Sequence, residues 1–312
     1  INSLCNMYIW KKISMKIIDG KKISNDVLDE IKNHVEDRVN NRKKVPHLAA
    51  ILVGDDGPSQ TYVNSKIRAC ERVGFNSSLF KFNDNINEDE LLNEITKINE
   101  NKEIDGFIVQ LPLPSNIDQE KILTQVSPEK DVDGFHPFNY GKMTLGIDTF
   151  IPATPSGIVE LIKRYKIDLS GKRCLVIGRS QIVGRPISIL LSQNQSFANA
   201  TVTVAHSRSK ELETLCINSD LIVSAIGIPK FLKSRMVSDN SIIIDVGISR
   251  VDDETSSKGY KIVGDVDFED FSQRDVMITP VPGGVGPMTI SMLLKNTLKA
   301  CELKDWLLNL IH

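Results

Sequence analysis

The chain has 312 residues, with 38 Lys and Arg against 40 Asp and Glu, a formal net charge of −2 and 41% hydrophobic residues. That balance is ordinary for a globular protein and offers no basic surface for nucleic acid and no polybasic membrane patch. No apolar run approaches the roughly 20 residues that span a bilayer, and the length favours two domains.

Residues 1–14, INSLCNMYIWKKIS, fit no periodic pattern and are poorly flanked for a secretory signal. They are read as an extension upstream of Met15, disordered and outside the fold. MKIID then reads as a short strand, and Ile23, Val27, Ile31, Val35 and Val39 recur every four residues as one stripe of an amphipathic helix. HLAAILVG is a strand-length apolar run, Pro58–Val73 a helix and SSLFKF the next strand. Asn87 followed by Glu90 is an N-cap signature for a helix over Glu88–Asn101, and IDGFIVQLPLP is a strand stopped by prolines. After the junction FIPATPSG come the strands KRCLVIG, TVTVAH, DLIVSAIG, SIIIDVGI and VMITPV, with helices from Pro186 and Ser209 between the early ones. A last helix from about Pro287 carries Ile290, Leu293, Leu294, Thr297 and Leu298 at helical spacing. Strands this apolar need cover on both faces, so the expected class is α/β with parallel sheets.

Cys5, Cys70, Cys174, Cys216 and Cys301 are scattered without C-x-x-C pairing. They read as free thiols of a reducing compartment, hence a cytoplasmic protein. Five histidines without ligand spacing give no zinc site, and no metal is expected.

Four segments carry candidate chemistry. In CLVIGRSQIVGRP, Gly178 ends a strand and Gly184 opens a helix, with five residues between them, wider than in G-x-G-x-x-G. The turn would aim backbone N–H groups into a crevice, and Arg179 and Ser180 suit a phosphate. On this segment alone an ordinary βα turn serves equally well. Ser207 and Arg208 follow the next strand, where an acid would read the adenine ribose; an arginine suits the extra phosphate of NADP. Second, Tyr62 and Lys66 are i and i+4 on one helix face, one turn from Ser59; a solvated helix face is the bland alternative. Third, Gln110 ends a buried strand and Asp131 and Asp133 sit in a glycine turn, where simple turn chemistry would also account for them. His136 beside them is read as structural. Fourth, TPVPGGVGPMT is a loop nearly bare of side chains, suited to flat ligands lying against its backbone.

Together YVNSK, VQLPLP, PEKDVDGFHP, IPATPSG, VIGRSQIVGRP, DVGI and TPVPGGVGPMT resemble, in order, the bifunctional methylenetetrahydrofolate dehydrogenase/methenyltetrahydrofolate cyclohydrolase family. The resemblance covers Met15 to about Ala300, and that family uses the same wide G-R-S-x-I-V-G spacing. It implies a homodimer of chains with two α/β domains about an active-site cleft. Residues 15–151 and 286–312 would form a parallel-sheet folate-binding domain and 152–285 a Rossmann-type NAD(P)-binding domain. It implies oxidation of 5,10-methylenetetrahydrofolate with NADP⁺, NAD⁺ being less favoured, and hydrolysis of the methenyl product to 10-formyltetrahydrofolate, within one-carbon metabolism and purine biosynthesis.

By the same resemblance, Lys66 would transfer the proton in hydrolysis, with Gln110 orienting it. Tyr62 would stack on the folate and Asp133 hold the pterin. Ser59, Leu111, Pro282, Gly283, Gly284 and Thr289 would line the folate. Gly178, Arg179, Ser180, Ile182, Val183, Gly184, Ser207, Arg208, Ile248 and Gly286 would hold the cofactor. Ser249 and Ser209 stand where the family often has Asn and Thr, and both keep a hydrogen-bonding group. The rival readings are a dehydrogenase of the shikimate or amino-acid kind and a non-catalytic folate or nucleotide sensor. Neither needs Lys66 together with Tyr62, Gln110 and Asp133.

Overall fold

The computed structural model describes residues 15–256 and 259–311; the upstream extension and Cys5 lie outside the described residues. Among the described residues the chain begins with β1 (Lys16–Ile17), α1 (Gly20–Asn40), β2 (His47–Val53), α2 (Gly57–Val73), β3 (Asn76–Phe82), α3 (Glu88–Glu100) and β4 (Gly106–Val109). The helices α4 (Gln119–Gln125), α5 (Pro137–Thr144) and α6 (Ala153–Arg164) come next. After them lie β5 (Arg173–Ile177), α7 (Gly184–Ser192), β6 (Thr201–Ala205), α8 (Leu212–Ile217), β7 (Leu221–Ser224) and β8 (Ile242–Asp245). A hairpin of β9 (Ser249–Asp252) and β10 (Tyr260–Val263), then β11 (Met277–Ile278) and α9 (Val285–Ile311), complete it.

Two parallel sheets form, as the apolar runs require. The first has the order β3-β2-β4 and the second β1-β11-β8-β7-β5-β6. Counted from β5, the second sheet is doubly wound in the order 2-1-3-4-5, and the strand order reverses between the parallel neighbours β5 and β7. Ligands of such sheets bind beyond the carboxyl ends at that reversal, where Gly178 and Ala225 succeed β5 and β7.

Several expectations need correction. The first strand, grouped by sequence with the first sheet, pairs instead with β11 at the edge of the second, through Lys16–Met277 and Ile17–Ile278. The next residue, Ile18, is wholly buried and joins the main core. The α1 stripe holds at Ile23, Val27, Ile31 and Val35, but Val39 is 54% exposed and Arg38 is buried in its place. Arg38 is drawn in by Asp305 of α9, at 2.8 Å, and by the Lys44 carbonyl, at 2.9 Å. Helix α7 starts two residues before Pro186, placing the proline in the first turn, where a missing N–H leaves no bond unmade. Helix α8 starts at Leu212 rather than Ser209, because Ser209 closes a tight turn with His206. The α3 signature forms a full capping box between Asn87 and Glu90.

One core cluster runs through both sheets and includes Leu48, Ile108, Leu161, Val176, Met288 and Leu293. Helix α9 packs along α1 and α6, so the last helix returns across the first sheet's helices. Cys70, Cys174, Cys216 and Cys301 are buried free thiols.

Candidate active site

Helix α2 is aimed by its cap. Asp56 accepts the Ser59 N–H at 2.9 Å, Pro58 sits in the first turn and Gly74 closes the helix in the left-handed conformation. Ser59 is thus buried at the cap. Along the helix, Tyr62 is exposed and lines a cleft of about 660 Å³, and Lys66 lies one turn further. The Lys66 Nζ donates to Gln110 Oε1 at 3.1 Å, while Gln110 Nε2 donates to the Leu111 carbonyl at 2.7 Å. Gln110 is itself set by its N–H, bonded to Ile51 O of β2 at 2.9 Å. Gln110 therefore accepts from the amine with an oxygen whose orientation is fixed from the other end of the amide.

Asp131 and Asp133 separate into two roles. The Asp131 carboxylate accepts from the Phe135 and His136 N–H groups and from Asn139 Nδ2, which is turn chemistry. Among the described residues Asp133 has no such donors, and it interacts with Lys66 through charge. Burial raises the Asp133 carboxyl and lowers the Lys66 ammonium, and their mutual attraction opposes both shifts. His136 caps α5 by accepting the Phe138 N–H on Nδ1, in keeping with a structural role.

The glycine loop forms the opposite wall. Pro282, Gly283, Gly284 and Gly286 line the cleft with Ile248. A Cβ on Gly20 would lie 1.9 Å from the Gly284 carbonyl oxygen, so the start of α1 packs directly on this loop. Thr289 faces Thr154 of α6, with their hydroxyls 3.2 Å apart, and is not among the cleft-lining residues.

At the ends of β5 and β6 the wide glycine turn has a physical explanation. A Cβ on Gly184 would lie 2.3 Å from the Gly178 carbonyl oxygen, and Gly178 has φ +117°. The loop thus folds back on its own first residue. Ser180 Oγ accepts the N–H groups of Val183 and Gly184 at 3.2 and 3.3 Å, which leaves its own proton to donate. Because β5 and β6 are adjacent parallel strands, the loops that carry Arg179 and Ser207–Arg208 leave neighbouring strand ends. Both arginines are exposed, and neither forms an ion pair among the described residues. A backbone cradle with a hydroxyl and two free cations fits a phosphorylated dinucleotide. Ile182 lines a separate cavity of about 590 Å³ with Tyr140 and Arg185.

Matching family models are tetrahydrofolate dehydrogenase/cyclohydrolase, catalytic domain, over residues 18–133, and its NAD(P)-binding domain over residues 152–305. The chain belongs to the tetrahydrofolate dehydrogenase/cyclohydrolase family. Among relatives of that family, a bifunctional protein FolD from Christiangramia forsetii is 58% identical over 92% of this chain and 96% of its own. A FolD from Flavobacterium psychrophilum is 56% identical over 92% and 98%. The crystal structure of FolD from Campylobacter jejuni superposes with a TM-score of 0.87 at 45% identity, covering 93% of this chain and 100% of that one. The Trypanosoma brucei dehydrogenase-cyclohydrolase, solved with NADP cofactor and an inhibitor, gives 0.87 at 34% identity over 94% and 99%. Membership of this family displaces the shikimate or amino-acid dehydrogenase alternative.

Sequence reasoning missed three groups on the cleft. Asp245 is buried there and accepts the N–H groups of Gly247, Asp265 and Val266, each at 2.9 Å. Burial holds its carboxyl up at about 6 despite those bonds. Arg250 and Tyr260, on β9 and β10, also line the cleft. The alternation in SRVD and YKIV was the available signal for that hairpin.

Proposed function

We propose that this protein oxidises 5,10-methylenetetrahydrofolate with NADP⁺ and hydrolyses the methenyl product to 10-formyltetrahydrofolate in one cleft. The observation that carries this is the Lys66–Gln110 contact of 3.1 Å beside Asp133, in a chain of this family. NADP⁺, when bound, accepts the hydride that leaves the bridging methylene carbon. Asp133, as a carboxylate, accepts two hydrogen bonds from the amino-pyrimidine edge of the pterin, and the Tyr62 ring stacks on the folate. Burial lowers the Lys66 ammonium and so favours loss of its proton, and the amine that results takes a proton from the water attacking the methenyl carbon. The same ammonium then returns the proton to the departing ring nitrogen. Gln110 keeps the amine aimed through both transfers.

The cofactor site in this proposal is the loop of Gly178, Arg179, Ser180, Ile182, Val183 and Gly184 with Ser207, Arg208, Ile248 and Gly286. The cleft-side Pro282, Gly283 and Gly284, with Ser59, Leu111 and Thr289, complete the folate side. In this proposal residues 286–312 group with 15–151, supported by the Asn296 bond to Val132 O, and 152–285 form the cofactor unit, with α9 also packing on α6 of that unit. The protein acts as a homodimer in the cytoplasm, serving one-carbon metabolism and purine biosynthesis. The edge strand β6, with Val204 exposed, supports self-association at that edge.

The test is spectrophotometric. Purified protein is mixed with methylenetetrahydrofolate and NADP⁺ or NAD⁺, and separately with methenyltetrahydrofolate. Reduced NADP and loss of the methenyl chromophore are expected, and absence of both sinks the proposal. Light scattering reads the dimer.

A further inference from the structure

Two buried acids on the cofactor side, Asp245 and Asp265, take no part in the chemistry above. Asp245 ends β8, and Asp265 follows the end of β10 by two residues. Among the described residues neither carboxylate forms an ion pair. Lys230 and Lys261 line a cavity of about 340 Å³ that reaches Asp245, but they pair with Asp267 and Asp253. Both acids hold neutral groups instead. Asp245 Oδ1 accepts the Gly247 and Asp265 N–H groups, and its Oδ2 accepts the Val266 N–H. Asp265 Oδ2 accepts from Ser224 Oγ at 3.2 Å and from the Ile226 N–H at 2.8 Å. A Cβ on Gly264 would overlap Asp245 Oδ2, and one on Gly247 would overlap Asp265 Oδ1. Each acid is therefore seated against a glycine beside the other.

These bonds reach three walls of the proposed cofactor site. On one side Asp265 fixes Ile226, and Gly178, where the phosphate loop starts, packs on the Ala225 carbonyl and the Ile226 side chain. In the centre Asp245 turns the chain at Gly247, which leaves Ile248 half-exposed on the cleft. On the other side the Asp245 N–H donates to Thr279 Oγ1 at 2.7 Å, and Gly284 of the glycine loop packs on Thr279 Cβ. The paired register of β7 and β8 stops at Ser224 and Asp245, so beyond that point the strands no longer space these loops. The two acids do.

We propose that Asp245 and Asp265 are positioning residues for the dinucleotide, setting the span from its phosphate loop to the Ile248 and glycine-loop end of its site. The proposal rests on the cofactor site proposed above. A dinucleotide has a limited reach between pyrophosphate and nicotinamide, and hydride transfer is sensitive to displacements of about 1 Å. The two acids differ in how they use their oxygens. Asp245 accepts on both, from three backbone donors, so an amide there would turn its NH2 on a buried N–H. Asp265 accepts on one oxygen, and its Oδ1 is buried with no partner among the described residues. An amide at 265 keeps both native bonds and sets its NH2 where no donor is displaced. The geometry thus demands a carboxylate at 245 and tolerates an amide at 265.

The experiment reads NADPH affinity by its fluorescence, dehydrogenase kcat, and hydrolysis of added methenyltetrahydrofolate without cofactor. The proteins are the full chain and its Asp245→Asn, Asp265→Asn and Asp265→Ala variants, each checked by circular dichroism. Asp245→Asn should weaken NADPH binding about tenfold and lower kcat about tenfold at saturating substrates, with hydrolysis held within about threefold. Asp265→Ala should do the same. Asp265→Asn should keep affinity and kcat within about threefold of the unaltered chain. If Asp245→Asn does not fold, the contrast between the two Asp265 variants decides the question. Hydrolysis falling in step with cofactor binding would make these acids supports of the whole fold and overturn the proposal. So would normal NADPH binding and kcat in Asp245→Asn, or an Asp265→Asn variant as impaired as Asp265→Ala. An unaltered chain that binds no NADPH overturns the cofactor site itself, and the positioning role with it.

Discussion

Asn296 Nδ2 donates to the Val132 carbonyl at 2.8 Å, so helix α9 holds the residue immediately before Asp133. The same nitrogen reaches Ile151 O at 3.0 Å, joining that turn to the segment leading into α6. Asn296→Ala leaves both carbonyls without this donor in a buried place. The unfolding free energy should fall by about 1–3 kcal/mol, read by urea denaturation. The folate KM should rise while the NADP⁺ KM holds, because the displaced turn carries Asp133. An unchanged folate KM in a destabilised variant would restrict Asn296 to stability.

Lys66→Gln keeps length and hydrogen bonding and removes proton exchange. Cyclohydrolase activity should fall by about 10²–10⁴-fold, with dehydrogenase activity still measurable and methenyltetrahydrofolate accumulating. Burial places the folded ammonium below its ordinary value of 10.5. The unfolded chain therefore binds this proton more tightly, and the resulting stability penalty is complete below the folded pKa and relieved as pH rises through it. In the unaltered chain, hydrolysis should rise with pH through that depressed value. Full hydrolysis by the glutamine variant would remove Lys66 from the proton path.

Asp133→Asn should weaken folate binding in both activities and spare NADP⁺ binding. Burial raises this carboxyl in the free protein, so its proton is retained above the ordinary 3.8. Its penalty to stability is present above the raised folded pKa and relieved as pH falls through it. Folate affinity should accordingly weaken on acidification through that value in the unaltered chain and lose this dependence in the variant. Folate titrations at several pH values decide it.

Gly184→Ala places a methyl group 2.3 Å from a backbone oxygen that cannot step aside cheaply. The NADP⁺ KM should rise more than about tenfold, equivalent to about 1.4 kcal/mol. Hydrolysis of added methenyltetrahydrofolate needs no cofactor and should largely persist. Equal loss of both activities would mean that the loop supports the whole fold.

Arg208→Ala should raise KM for NADP⁺ about tenfold or more and hardly change KM for NAD⁺. A charged hydrogen bond to the extra phosphate is worth about 1.5–3 kcal/mol. Equal effects on the two cofactors would move the phosphate away from Arg208.

The sequence made the β/α alternation legible because the sheet strands are apolar runs bounded by turn residues. The α3 start was legible because Asn87 and Glu90 cap each other locally. The helix α6 was not, since Pro152, Pro155 and Gly157 look like breakers. In the structure Pro152 is its N-cap and Pro155 lies in the first turn, where no N–H is missed. Gly157 lets α9 approach, as a Cβ there would lie 2.7 Å from Met288 Cβ. Lys66 and Gln110 are 44 positions apart, so their contact was expected only from resemblance. Arg250 was missed because its place on the cleft wall depends on where the β9–β10 hairpin packs, which no local pattern records.

Helix α9 has a consequence for synthesis. It leaves the ribosome after every other described element, yet it packs on α1 and carries the amide that holds the Asp133 turn. The first sheet and α2 can form on a growing chain, but the pterin end of the cleft stays unfinished until Asn296 has emerged. A nascent chain stalled before α9 would present an exposed apolar face on α1 and no working folate site. Catalytic competence therefore waits for α9 to emerge, and does not arrive domain by domain.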